Sequence, residues 1–311
     1  MHRHLVLLAV VLVVTVGLSA CAGGAEAPPE DGGVAPPSSG RTLTLADVSD
    51  SPGKKIAAYQ PLADYLAAEL AEAGFVQGRV RIAPDLETIG RLLESGDVDL
   101  YFDSPYPVLT VFEDAGAFPL ARRWKKGVAE YHTKIVVRRD SGITHLDGLV
   151  GQIVAFGDVV STSGYLLPKA HLMSNGYGVT EVGSAAGSVA AGQIGYVFAG
   201  DEENVLAWVL DGKTAGGTLA SDDYENLDDA SRSQLLVLAE TAAVPRHIAM
   251  ASPAMDEELR ERITELLLGL HTSPEGQAIL ETFERTVQFD ALPHGADGAM
   301  AALQQIFAPV R

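Results

Sequence analysis

The sequence predicts a two-lobed α/β chain in which the second lobe is inserted into the first. Three observations predict it. Strand-like and helix-like segments alternate from Thr42 onward, the pattern of mostly parallel sheets covered by helices. The alternation pauses at a long strand, Tyr131–Arg138, and restarts beyond Asp140-Ser-Gly142. A late strand, Ile248–Ala251, then reads as the return into the first unit, and three helices close the chain.

Each element has its own signal. Thr42–Asp47 alternates as a strand. Ile56, Tyr59, Leu62, Leu66 and Leu70 fall near helical spacing, and Pro61 places the start of the regular helix close by. Arg79–Ile82 is a strand, Asp85–Glu94 an amphipathic helix, and Val98–Phe102 a strand after which Ser104-Pro105 opens another helix. In the second unit, Leu146–Leu149 is a short helix, Gln152–Phe156 a strand and Ser161–Met173 a helix. Gly195–Phe198, Ala215–Leu219 and Leu235–Ala243 are strands, with a helix at Glu202–Leu210. Gly183–Gly192 reads as loop plus a helix start. The closing helices are Asp256–His271, Pro274–Phe283 and Asp297–Phe307. These elements divide the folded part into lobe 1, residues 41–138 plus 246–311, and lobe 2, residues 139–245. Two connecting segments follow, near Val137–Ser141 and Ala243–Ile248. Such a pair forms a hinge that can close around a ligand.

The amino terminus carries export signals. Arg3 precedes an apolar run, Leu5–Leu18, too short for a membrane span and suited to a secretory leader. It ends in Leu18-Ser19-Ala20-Cys21, which resembles the lipobox of bacterial lipoproteins. That likeness implies a leader of residues 1–20 and a lipidated Cys21. Residues 21–40 are rich in Ala, Gly, Pro and Ser and read as a flexible tether. The single cysteine excludes a disulfide framework. The net charge of −19 repels nucleic acid and argues against a broad basic funnel for anions. An anionic ligand would need local dipoles and hydrogen bonds instead.

Phe156-Gly-Asp-Val-Val-Ser-Thr-Ser-Gly164 is the most informative segment. A buried strand gives way to a polar turn, and three hydroxyl residues and a glycine open a helix. A helix start exposes unpaired N–H groups and a partial positive charge, and Ser and Thr hydroxyls add donors. In open α/β sheets ligands sit beyond the carboxyl ends of strands, where this turn falls. Capping by Ser161 alone would explain one hydroxyl, not three. Enzyme signatures do not assemble. Ser51-Pro-Gly-Lys54 matches S-x-x-K and Lys213-Thr-Ala-Gly216 nearly matches K-T-G, but Ser221-Asp-Asp223 is not S-D-N and falls in the wrong order. The eight histidines are scattered without zinc spacing. Neither a catalytic residue, a metal nor a cofactor is expected.

The run "STSGYLLP" after "AFGD" resembles the PhnD-type family of phosphonate- and phosphite-binding proteins of ABC transporters. "YQPLADYL", "GDVDLYFDSPYPV", "YHTKIVVRRDSGITHLDGLVGQIVAF" and "VFAGDEENVLAWVLDGK" agree in the same order over about residues 42–250. The resemblance implies a type 2 periplasmic-binding fold and an extracytoplasmic, lipid-anchored monomer. It would capture a phosphonate, phosphite or phosphate and deliver it to ABC permease and ATPase subunits. It also implies that Ser161, Thr162, Ser163 and the Gly164 amide hold the ligand's oxygens. Tyr59 and Tyr106 would close the cleft, with Asp103 and Ser104 alongside. Asp201 stands where some members have a histidine beside the ligand, and Thr214 replaces an expected acid. Carboxylates beside an anion are costly. A protonated ligand oxygen, a ligand amine or simple solvent exposure would each account for Asp103 and Asp201. Two other readings remain: the same fold holding a sulfonate or carboxylate, and a lipid-anchored ligand sensor.

Overall fold

A computed structural model of the chain describes residues 40–49 and 51–311. The expected leader and Cys21 lie outside the described residues, as does the tether up to residue 39. Among the described residues no helix is long and apolar enough to cross a membrane.

The first lobe opens with β1 (Arg41–Val48), α1 (Pro52–Glu69), β2 (Phe75–Ala83), α2 (Leu86–Ser95), β3 (Leu100–Asp103), α3 (Pro105–Ala115) and β4 (Phe118–Lys125). Then come β5 (Glu130–Tyr131), β6 (Thr133–Arg138), β7 (Ile153–Phe156), α4 (Leu167–Ser174), β8 (Gly178–Glu181) and β9 (Gln193–Phe198). The second lobe finishes with α5 (Glu202–Leu210), β10 (Gly216–Ala220), α6 (Ser221–Glu225), α7 (Asp229–Ser233) and β11 (Leu235–Glu240). The chain returns through β12 (Val244–Pro245) and β13 (His247–Ala251), and closes with α8 (Glu257–Gly269), α9 (Pro274–Thr282), β14 (Thr286–Asp290) and α10 (Gly295–Phe307).

Two six-stranded sheets result, ordered β14-β4-β13-β3-β1-β2 and β11-β6-β10-β7-β9-β8. In each, parallel strands form one side and antiparallel strands complete the other. This mixed α/β architecture matches the expected fold class. In the first lobe, Leu43, Leu45, Tyr59, Leu62, Leu66, Phe102 and Phe283 fill one face of the sheet. Ala46, Ile89, Leu93, Tyr101, Val108, Leu109 and Leu303 belong to the cluster on the other.

The helix starts follow capping chemistry. Asp85 Oδ1 accepts the Thr88 N–H at 2.7 Å, and Gly96 ends α2 at φ 75°, where a side chain would be strained. One expected start moves. α1 begins at Pro52, and Pro61 lies inside it. The helix continues past the missing N–H because Tyr59, Leu62, Ala63 and Leu66 bury against the sheet, and packing outweighs local propensity.

The expected lobe border at residue 138 also moves. Thr133–Arg138 belongs wholly to the second sheet, bonded to β10 on one side and β11 on the other. The two segments that pass between the lobes are β5 and β12, paired antiparallel with Tyr131 opposite Val244. The change of partner occurs at His132, whose N–H bonds to Ser221 Oγ at 3.2 Å. One continuous strand-like segment, Tyr131–Arg138, hides such a switch.

A charged cluster is buried between α1, β4 and the segment following α9. Lys55 bridges Asp47 at 2.6 Å and Glu284 at 2.7 Å. Glu284 also meets Arg123 at 3.1 Å and Lys125 at 3.2 Å. Burial, opposed by Glu284 and aided by Arg123 and Lys55, pushes the Lys125 ammonium down to about 8. Burial works against ionised Glu284, but Lys125, Arg123 and Lys55 outweigh it and hold its carboxyl far below the usual range. A depressed carboxyl contributes stability that is complete above its ordinary pKa of 4.5 and is lost as pH falls below that value. Urea midpoints followed from about pH 6 to about pH 3 should therefore fall more steeply for the native chain than for Glu284→Gln. Parallel curves would mean that the cluster contributes no such linkage.

Candidate functional site

The loop after β7 turns so tightly that two glycines touch. Gly157 N–H donates to Gly164 O at 2.8 Å. A Cβ on Gly164 would lie 3.1 Å from Gly157 Cα and 2.9 Å from Ser161 Oγ. Ser161 Oγ accepts the Gly164 N–H at 2.9 Å, so Ser161 is a helix cap, as the simpler reading of its hydroxyl would have it. The expected single helix divides here. Thr162–Leu166 winds as a π-turn, in which Leu166 N–H reaches back to Ser161 O at 3.1 Å, and α4 follows. Such turns recur at functional sites.

The turn faces the other lobe directly. Tyr106 N–H, at the start of α3, donates to Thr162 Oγ1 at 3.0 Å. Thr162 O–H donates to Ser104 Oγ at 3.0 Å. Ser104 in turn gives its hydroxyl to Asp103 Oδ1 at 3.1 Å and its N–H to the same oxygen at 2.6 Å. Tyr101 O–H takes the second Asp103 oxygen at 2.5 Å. A relay of hydroxyls thus runs from the second lobe to a carboxylate of the first. Thr162 is 1% exposed and Ser163 6%, so the lobes meet closely over the turn. Tyr131 lies beside Thr162 and Ser163, and burial pushes its phenol up.

Six of the expected residues therefore come together with Asp103: Ser161, Thr162, Ser163, Gly164, Ser104 and Tyr106. Tyr59 and Asp201 do not join them. The Tyr59 ring is fully buried in the first lobe, edge-on to Phe283 at 4.5 Å, and burial with Asp47 close by pushes its phenol well up. Asp201 is exposed and caps α5 by accepting the Asn204 N–H at 2.7 Å. Its carboxylate is committed to that cap.

Sequence reading missed a cavity of about 460 Å³ where the two lobes approach. Lys125, Lys126 and Arg246 line it with Glu202 and Asp223. The Arg246 guanidinium lies over the Tyr131 ring at 4.4 Å, and so links this cavity to the hydroxyl turn. Burial pushes the Glu202 and Asp223 carboxyls up. Their one signal in the sequence is position, since α5 and α6 start at the carboxyl ends of β9 and β10, on either side of β7. A larger cavity, about 700 Å³, lies at the opposite end of β1, and in its wall Arg41 and Arg262 are outnumbered by Glu69, Glu72, Asp256, Glu258, Glu261 and Glu265. That wall repels an oxyanion.

Comparison with known proteins places the chain in a family. Residues 48–293 match the family described as ABC transporter, phosphonate, periplasmic substrate-binding protein. A curated relative, the phosphate-import protein PhnD of Mycolicibacterium smegmatis, is 27% identical over 232 residues, covering 71% of this chain and 70% of that protein. Among solved structures, XAC2383 from Xanthomonas citri bound to chloride ion is 30% identical, with a TM-score of 0.80, covering 87% of this chain and 98% of the other. PhnD1 from Prochlorococcus marinus in complex with methylphosphonate shares the fold at 17% identity, with a TM-score of 0.60, covering 86% and 98%. The family is a substrate-binding component of a transporter rather than an enzyme. The chain belongs to the family of periplasmic substrate-binding proteins of phosphonate ABC transporters.

Proposed function

We propose that this protein captures a small phosphorus oxyanion, a phosphonate, phosphite or phosphate, and presents it to the permease of an ABC importer. The observation that carries the reading is the Ser161–Gly164 turn, set at the carboxyl end of β7 and bonded at 3.0 Å to Ser104 and Tyr106 of the opposite lobe. On ligand binding, Thr162 O–H would swing from Ser104 to a ligand oxygen, and the helix-start amides would take the others. The adjoining cavity gives room to an organic substituent. β5 and β12 serve as the hinge about which the lobes part and close, with the first lobe taken as residues 41–138 and 246–311 less strand β6. Cys21 would tether the folded monomer to the cell membrane, on its periplasmic side or outer face. Phosphate import by the mycobacterial relative supports the ligand class.

Isothermal titration of residues 40–311 with phosphate, phosphite, methylphosphonate, 2-aminoethylphosphonate and sulfate tests this. One phosphorus ligand should bind at micromolar Kd or tighter while sulfate does not. Silence from all five would refute the reading. Thr162→Val should weaken binding at least about tenfold, on the order of 1.4 kcal/mol, and Ser163→Ala somewhat less. Unchanged affinity in both variants would remove the ligand from this turn.

A further inference from the structure

We infer that Thr133 and Thr218, two buried threonines outside the hydroxyl turn, are positioning residues that hold the turn in its binding shape. Within the turn, Leu166 N–H bonds to Ser161 O and Leu167 N–H to Thr162 O, each five residues apart. The next carbonyl in that pattern is Ser163 O, and its donor would be Pro168, which has no N–H. An ordinary helical bond from Gly164 O would also fall on Pro168. Pro168 thus removes a helical donor from two successive carbonyls in a buried segment. Such carbonyls must find partners elsewhere.

They find them in the sheet. Thr133 O–H donates to Ser163 O at 2.7 Å, and Thr218 O–H donates to Gly164 O at 2.8 Å. Both threonines are completely buried. They sit on β6 and β10, adjacent strands that pair Thr133 with Ala220 and Thr218 with Ile135. Gly157 N–H gives Gly164 O a second donor. With both carbonyls drawn onto the sheet, the peptide planes at 163 and 164 are fixed. The opposite edges of those planes carry N–H groups, and their direction is fixed with them. The threonines themselves touch no ligand in this role; they act through the turn.

The inference rests on the turn being the ligand site, so its test includes a measurement that needs no ligand. Thr133→Val and Thr218→Val keep side-chain shape and delete the hydroxyl. Amide hydrogen exchange of residues 162–166 should speed up about tenfold in either variant, and Thr→Ser should restore it. Kd for phosphate or methylphosphonate, whichever the native chain holds more tightly, should rise about five- to tenfold in the valine variants and recover with serine. Should a valine variant fail to fold, Thr→Ala is measured in its place. Exchange unchanged in the hydroxyl-free variants would overturn the inference, as would faster exchange with unchanged Kd. Absence of binding by the native chain would instead sink the oxyanion reading itself, whatever the exchange rates show.

Discussion

Gly164→Ala is expected to weaken oxyanion binding by about a hundredfold, on the order of 2.7 kcal/mol. The added methyl would stand 2.9 Å from Ser161 Oγ and 3.1 Å from Gly157 Cα. Ser161 could rotate away, but its cap bond to Gly164 N–H would then be lost. Gly157 cannot yield without disturbing its bond to Gly164 O, which sets the close approach of loop and turn. Either response rotates the amides and hydroxyls that face the other lobe. Stability should fall by about 1–3 kcal/mol, as for other overpacked sites. Titration and urea unfolding of one preparation separate the two effects. Native affinity in Gly164→Ala would show that the ligand does not depend on this turn.

Arg123→Met should produce the largest loss of stability, about 3–5 kcal/mol, the range for removing one partner of a buried ion pair. The guanidinium is completely buried. It donates to Thr286 Oγ1 at 2.9 Å and to Phe283 O at 2.8 Å, and lies on the Phe283 ring at 3.7 Å from its centroid. Lysine has no planar fork to make these contacts together, so Arg123→Lys should recover little. The site turn lies in the other lobe, so protein that remains folded should bind with near-native Kd. A urea midpoint within error of the native one would mean that the cluster rearranges without cost.

The fold was legible where periodicity and punctuation agreed. Asp85 and Gly96 bracket α2, and the hydroxyl run after Phe156 marked the turn that the structure brings against the opposite lobe. Strands β4, β8 and β14 were not read. Phe118–Lys125 mixes arginines with apolar residues because Arg122 and Arg123 both find acidic partners, Asp290 at 2.6 Å and Glu284 at 3.1 Å. A strand whose charges are neutralised by residues far along the chain gives no local signal. Gly178–Glu181 and Thr286–Asp290 are short edge strands, defined by their neighbours rather than by their own pattern. Tyr59 and Asp201 show the complementary difficulty. Family likeness pointed to both, but one ring serves the first-lobe core and one carboxylate serves a helix start. A motif specifies residue type, whereas only tertiary context determines what the side chain faces.

Helix α10, at the end of the chain, packs against α3 of its own lobe and also against α4 of the second. Leu166, Leu167 and Ala170 share one apolar cluster with Leu303 and Phe307. If the lobes part as proposed, the motion would expose this apolar seam to water as well as break the Thr162–Ser104 pair. Such a seam would weight the proposed exchange between parted and closed lobes toward the closed form. Uptake should then show a ceiling. At rising solute concentration the observed association rate would level off at the rate of spontaneous opening. The apparent affinity would be scaled down by the fraction of molecules caught open. Loosening that seam, far from any ligand atom, would speed capture and at the same time shorten the residence of what is caught.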